Sequence, residues 1–319
     1  MGSEQPRSEH RLSQARLSLA AALATMFVWG VNFAFVKHVL DRIGVEALMF
    51  VRFAVLPVLG FALLLIIFRR RIAHTWPRRR DLSRFIVAGL IGHAAHIGVV
   101  MYGMSLSTPF SSSLVLTSGP LFTLIILAIL KVERLRVRQV AGTLLALAGI
   151  MVFLSDKFAA GFSRAGAGDL VLLLAAALFA LYTVLVQPLT KRYGPLIVLC
   201  YTLLFSAPPI LIATLPGFLA TPASAYTASV LIGLAWALVV SSFFGWLAWS
   251  WVNAVRGVAR AAPFGYLMPP IAGLVAWLTL GEAFTWLKIA GATVTMAGVA
   301  YAQFGGGPPP KEAAQPDAA

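Results

Sequence analysis

The feature that most limits what this chain can become is a succession of ten apolar runs. Each is close to the roughly 20 residues that a helix needs to cross a bilayer core about 30 Å thick. The runs lie at 17–37, 45–68, 85–104, 108–130, 137–155, 169–189, 195–215, 226–252, 260–280 and 285–304. Only Ser105–Ser107 part the third from the fourth, and the ninth and tenth divide near Gly281-Glu282. Transmembrane strands would alternate apolar and polar residues with period two. Stretches such as Leu121–Leu130 instead place apolar residues at consecutive positions, so the runs are predicted to be helices. Composition agrees: 60% of residues are hydrophobic and 11% charged, where a soluble domain carries about 25% charged residues. That balance excludes a soluble enzyme, a disordered chain and a disulfide-stapled scaffold. The expected fold is an all-α polytopic membrane protein.

The first 16 residues are polar with three arginines, and the segment 305–319 contains Gly-Gly-Gly-Pro-Pro-Pro; both are expected to be disordered tails. The first run exceeds a usual signal-peptide core and contains Trp29 and Asn32, so it is expected to be retained. The single cysteine, Cys200, forms no intrachain disulfide and says nothing about compartment.

The net charge of +14 invites a nucleic-acid reading. The positions of the charges argue against it. With the N-terminus placed in the cytoplasm, inside segments hold 19 of the 25 basic residues. Outside segments hold five, namely Lys37, Arg42, Lys157, Arg164 and Lys288. This bias is the positive-inside pattern. The Arg69–Arg71 and Arg78–Arg80 clusters lack interleaved aromatics and read as loop ends facing anionic headgroups. The expected location is the bacterial inner membrane, multi-pass, with both termini cytoplasmic.

The chain also repeats itself. Displaced by 149 positions, Pro120 falls on Pro269 and Glu133 on Glu282. Ala141-Gly142 falls on Ala290-Gly291, and Ala148-Gly149 on Ala297-Gly298. The predicted organisation is a tail (1–16), a five-helix repeat (17–155), an external linker (156–168), a second five-helix repeat (169–304) and a tail (305–319). Five is odd, so successive units enter the membrane from opposite sides. The expected architecture is two inverted-topology repeats around a central cavity, a common plan among secondary transporters.

The stretch Phe27-Val28-Trp29-Gly30-Val31-Asn32-Phe33 ending at Lys37, with Glu133-Arg134-Leu135 and Gly281-Glu282 after the fourth and ninth runs, resembles the EamA branch of the drug/metabolite transporter superfamily. The resemblance covers roughly 17–304. It implies ten helices, a central cavity and transport of small metabolites, often export; relatives move amino acids, sugars, nucleotide sugars or purines. One departure is Lys131-Val132-Glu133, which lacks the glycine that the second repeat has at Gly281.

Ionisable groups at membrane depth mark function by default. No carboxylate falls at the centre of a run, so the proton-for-cation exchange of the small multidrug exporters, which uses a glutamate in the first helix, is not expected here. His93 and His96 are central in the third run and are candidates to relay a proton or bond a solute carboxylate; the plainer reading is a bond to a neighbouring helix. Arg52, a third of the way into the second run, attracts an anionic group, pairs with Glu46 or snorkels. Trp29, Asn32 and Phe33 share a face of the first run, and an Asn amide in lipid needs a protein or wet partner. Ser242 and Trp246 in the eighth run, Thr117 in the fourth, and Tyr102, Tyr182 and Tyr266 complete the candidate lining. Pro120 and Pro269-Pro270 are candidate hinges at matching positions. Glycine- and alanine-rich runs five and ten read as close-packed scaffold.

No phosphate-binding loop, metal-ligand set or nucleophile elbow is present in the sequence, and no cofactor is expected. The expected function is a secondary transporter exporting small metabolites through alternating access, foremost amino acids, with an aromatic lining that suits aromatic ones. The alternatives are a carrier of sugars, nucleosides or drug-like solutes, and a membrane enzyme acting on lipid-linked substrates. Its partners would be a small metabolite and the bilayer, with a monomer compatible and nucleic acid excluded.

Overall fold

The computed structural model of the chain describes residues 5–129, 137–159, 164–256 and 262–304. Among these residues all regular structure is helical, with no strand. The elements are α1 (Gln5–Phe68), α2 (Arg79–Gly89), α3 (His96–Leu106), α4 (Pro109–Leu116), α5 (Gly119–Ile129) and α6 (Val137–Ala159). There follow α7 (Arg164–Tyr193), α8 (Pro195–Ala220), α9 (Ala228–Ala235), α10 (Gly245–Arg256), α11 (Met268–Leu280) and α12 (Trp286–Phe304). Each apolar run coincides with helix. Five helical stretches are long and apolar enough to cross a membrane unaided: Arg16–Phe68, Arg79–Leu106, Gly166–Tyr193, Pro195–Ala220 and Ala228–Val252. The remaining runs are shorter helices. Large apolar side chains face outward, among them Ile129, Ile212 and Trp286, as lipid allows and water does not.

The breaks in the helices recur at matching positions. Gly44 (φ 75°) divides α1 into arms 5–43 and 45–68, and Gly194 (φ 83°) separates α7 from α8. Both occupy left-handed or related backbone that a Cβ disfavours. Leu90–Ala95, joining α2 to α3, winds as a π-helix, and so does Trp236–Phe244, joining α9 to α10. Displaced by 149, residues 90–95 fall on 239–244, inside the second π segment. The fourth run breaks at Thr117–Ser118, between α4 and α5; the ninth changes from a 3₁₀ turn (Ala262–Leu267) to α11 at the equivalent place. Pro120 and Pro269 each sit at the second residue of the helix after that break, where a missing N–H costs nothing. The hinge candidates therefore start helices instead of kinking them.

α6 and α12 pack backbone to backbone. A Cβ on Gly149 would overlap the backbone of Thr295, one on Gly291 that of Phe153, and one on Gly298 that of Ala146. This close approach is what small residues allow between membrane helices. Gly281, with φ 64°, caps α11 in the left-handed conformation. Its counterpart region, with Glu133, lies outside the described residues. So do residues 1–4, the whole tail 305–319 and residues 160–163 of the linker; residues 5–16, expected to be disordered, are instead helical and continue into the first run.

Candidate functional site

The two π segments face the interior, and hydrogen bonds leave each toward the other half of the chain. From the second arm of α1, Arg52 Nη1 donates to Ser242 Oγ at 2.8 Å. From the first π segment, His93 Nε2 lies 3.1 Å from Thr202 Oγ1 on α8. Arg52 and Thr202 stand eight residues beyond Gly44 and Gly194 respectively. His93 and Ser242 are separated by the repeat interval of 149. The two bonds are thus counterparts, one carrying a charge and the other neutral.

The hydroxyls fix the direction of these bonds. Ser242 Oγ donates to Ala237 O at 2.6 Å, a contact that the π winding brings into reach, and so accepts from Arg52. Thr202 Oγ1 donates to Val198 O at 2.7 Å, and therefore accepts from His93. The bond network assigns the proton to His93 Nε2 and leaves Nδ1 as a bare acceptor. Nδ1 is buried and without a partner among the described residues, as is Arg52 Nε. His96 Nδ1 donates to Ala175 O on α7 at 2.9 Å. Arg52, His93 and His96 lie within charge-interaction range of one another.

Aromatic rings enclose this centre. The His93 ring lies 5.5 Å from Tyr182 and 5.6 Å from Trp246, and the His96 ring 5.1 Å from Phe179. Trp29 donates from Nε1 to Ser241 O at 3.0 Å, and its ring lies 5.8 Å from Trp249. Gly92 gives the Tyr182 ring the space that a Cβ would fill. In this conformation, side chains occupy the centre. A groove of about 370 Å³ opens elsewhere, bordered by Phe110, Pro269, Pro270 and Trp277.

Of the residues singled out from sequence, Trp29, His93, His96, Tyr182, Ser242 and Trp246 come together. Asn32 is part-buried with Oδ1 unpartnered among the described residues, and Phe33 packs against the main core. Thr117 donates to Ser113 O at 2.7 Å within its own run. Tyr102 is 52% exposed on the outer surface, and Tyr266 belongs to a separate cluster with Leu121, Ala146 and Val299. Neither tyrosine joins the histidines. Pro269 and Pro270 border the outer groove. Arg52, for which the sequence left contact with an anionic group open beside pairing with Glu46 and snorkelling, is central, and so is Thr202, which the sequence did not single out. Their matched distance from a helix-breaking glycine of positive φ is the signal that locates them.

Two sets of ties run along the long helices. The first arm of α1 is joined to the α9–α10 stretch by His38 and Ser229 at 3.2 Å, by Trp29 and Ser241, and by Arg256 and Ser18 at 3.0 Å. The α2–α3 stretch is joined to α7 by Arg192 and Asp81 at 2.9 Å, by His96 and Ala175, and by Ser107 and Asp169. Tyr193 also donates to Asp81 at 2.6 Å. Each pair takes one stretch from each half and is fastened at both ends and the middle.

A duplicated chain, broken at equivalent points and with a polar centre between its halves, is matched twice by one family model, over residues 16–155 and 166–302. The chain belongs to the EamA-like transporter family. This EamA-family chain is therefore a multi-pass integral membrane transporter. It is similar to a Streptantibioticus cattleyicolor protein named "Probable terminal-alkyne amino-acid exporter", 30% identical over 283 residues, 88% of this chain and 91% of that one. A Salmonella typhimurium protein named "Probable amino-acid metabolite efflux pump" is 25% identical over 89% of this chain and 94% of its own. A solved crystal structure shares the fold with a TM-score of 0.63 at 18% identity, covering 91% of this chain and 98% of that one.

Proposed function

We propose that this chain is a secondary transporter that exports small metabolites, amino acids foremost, across a bacterial inner membrane by alternating access. In this reading the ten apolar runs are ten spans, the two halves have inverted topology, and both termini face the cytoplasm. The observation that carries it is the pair of counterpart hydrogen bonds, Arg52–Ser242 and His93–Thr202, made across the halves at two π segments. Substrate sites in inverted-repeat carriers lie at the repeat interface near the midplane, where helices are interrupted. The names of the two relatives support amino acids as the cargo.

The ties suggest the moving parts. The first arm of α1 travels with α9–α10, and α2–α3 travels with α7. The polar centre lies between these two pairs. Tilting one pair against the other opens the centre at one end while closing it at the other. The test is counterflow in proteoliposomes, with labelled amino acids compared against a sugar and a nucleoside. Exchange of a labelled amino acid supports the reading, and no exchange of any solute refutes it.

A further inference from the structure

We propose that Arg52 and His93 are the two polar ends of the solute site. The guanidinium takes the carboxylate of a small solute, and His93 Nδ1 accepts a hydrogen bond from an N–H of the same solute. The inference rests on the carrier reading and adds to it the chemistry of the cargo.

Arg52 is a buried charge with no counter-charge among the described residues. It is 6% exposed. Eight residues into its arm, it sits about 12 Å from the arm's start at 1.5 Å per residue. A charged side chain at such depth is costly and marks a site where something pairs with it. Its five N–H donors find one hydroxyl, Ser242, and Nε finds nothing among the described residues. The carboxylates whose side chains are described are engaged elsewhere. Asp81, Asp169 and Glu282 bond Arg192, Ser107 and Thr108; Asp41 pairs with Lys37 at 2.9 Å; Glu46 lies against Gly217. None reaches Arg52.

The other half has Thr202 at the counterpart position, so the site is charged on one side only. That asymmetry orients a solute. The solute's carboxylate turns to Arg52, and its remaining polar group faces His93, whose bare Nδ1 is an acceptor with no partner among the described residues. Trp246 touches the His93 ring and stands one turn beyond Ser242, so the two ends meet over an aromatic face. Trp246, Tyr182 and Phe179 offer flat apolar surface to an uncharged tail. An amine without a carboxylate meets an uncompensated positive charge and is rejected. The carboxylate is required; the amino group strengthens binding without being essential.

The test uses the purified full chain and the intrinsic fluorescence of its tryptophans. The probes are L-phenylalanine and L-leucine, their amides, and the corresponding acids without the amino group. In the wild type the amides should bind at least tenfold more weakly than the amino acids, and the des-amino acids should fall between. Arg52→Lys should keep that order, Arg52→Gln should erase it, and His93→Phe should bring the amino acids down to the level of the des-amino acids. Equal binding of acid and amide, binding of neither acid, or an unchanged order in Arg52→Gln would overturn the proposal. If Arg52→Gln fails to fold by thermal melt, the wild-type acid-against-amide comparison decides. Counterflow separates the two claims: exchange of a sugar or an amine, unaltered in Arg52→Gln, leaves the carrier standing and removes only the carboxylate anchor.

Discussion

The two counterpart hydrogen bonds should differ in strength, and the structure says by how much. Arg52–Ser242 is a 2.8 Å bond from a charged donor, and His93–Thr202 a 3.1 Å bond between neutral groups. A hydrogen bond to a charged group contributes about 1.5–3 kcal/mol and one between neutral groups about 0.5–1.5 kcal/mol. Measured interhelical bonds in a membrane protein average about 0.6 kcal/mol with a maximum near 1.7, so the lower part of each range applies. Ser242→Ala removes the acceptor of a buried guanidinium N–H and a donor to Ala237 O. It should cost about 2 kcal/mol, since it leaves a charged donor unpaired. Thr202→Val, nearly the same shape, should cost about 1 kcal/mol. Double-mutant cycles isolate the pairs. With Arg52→Met and His93→Phe as partners, the coupling should be about 1.5 kcal/mol for the first pair and about 0.6 for the second. The assay is unfolding in mixed micelles by SDS titration, followed by tryptophan fluorescence. Equal couplings, or a first coupling under about 0.3 kcal/mol, the usual additivity error, would refute the reasoning.

Other positions allow separate checks. Gly92→Ala places a methyl in the Tyr182 ring; overpacking of this kind costs about 1–3 kcal/mol, and thermal melting should fall while Gly98→Ala, with only Met49 nearby at 3.8 Å, stays near wild type. Gly298→Val should separate α6 from α12, lowering the melting temperature by several degrees without moving the counterflow KM, because neither helix touches the polar centre. Gly44→Ala meets no atom within 4 Å, so its cost should be backbone alone, about 1–3 kcal/mol for a φ of 75° with ψ of 179°, measurable by the same SDS titration. Asp81→Asn loosens the tie between α2 and α7; hydrogen exchange should rise at 78–86 and 190–194 and stay unchanged at 146–153. Cys200 is buried with Sγ 3.4 Å from Gly60 O, and should resist a membrane-impermeant maleimide applied from either side.

Much of the helical plan was legible before any contact was known. Hydrophobic length alone places the helices, because a backbone in lipid must satisfy its own hydrogen bonds. The 149-residue displacement of Pro120 onto Pro269 anticipates the matched breaks, though it takes the prolines for kinks where the structure makes them helix starts. The small residues of runs five and ten announce their close packing. The candidate centre was legible only in part. Trp29, His93, His96, Tyr182, Ser242 and Trp246 converge, whereas Tyr102 faces outward and Tyr266 sits in another cluster.

The reason for the divergence is the solvent. In water, the apolar stripe of a helix reveals which face is buried. In lipid both faces are apolar, so periodicity is silent about direction, and Tyr102 looks as inward as Tyr182. The π segments add to this, since an i to i+5 turn rotates every residue beyond it away from the face that a 3.6-residue count predicts. Arg52 shows the consequence. Along the chain, pairing with Glu46, snorkelling and meeting an anion are all open to it. Its actual partner is 190 positions away. Chain order determined where helices form, where they break and that the plan is doubled, since those follow from local hydropathy and backbone chemistry. Which side chains share the interior was settled by the meeting of the two halves, because contacts between distant segments have no local signature.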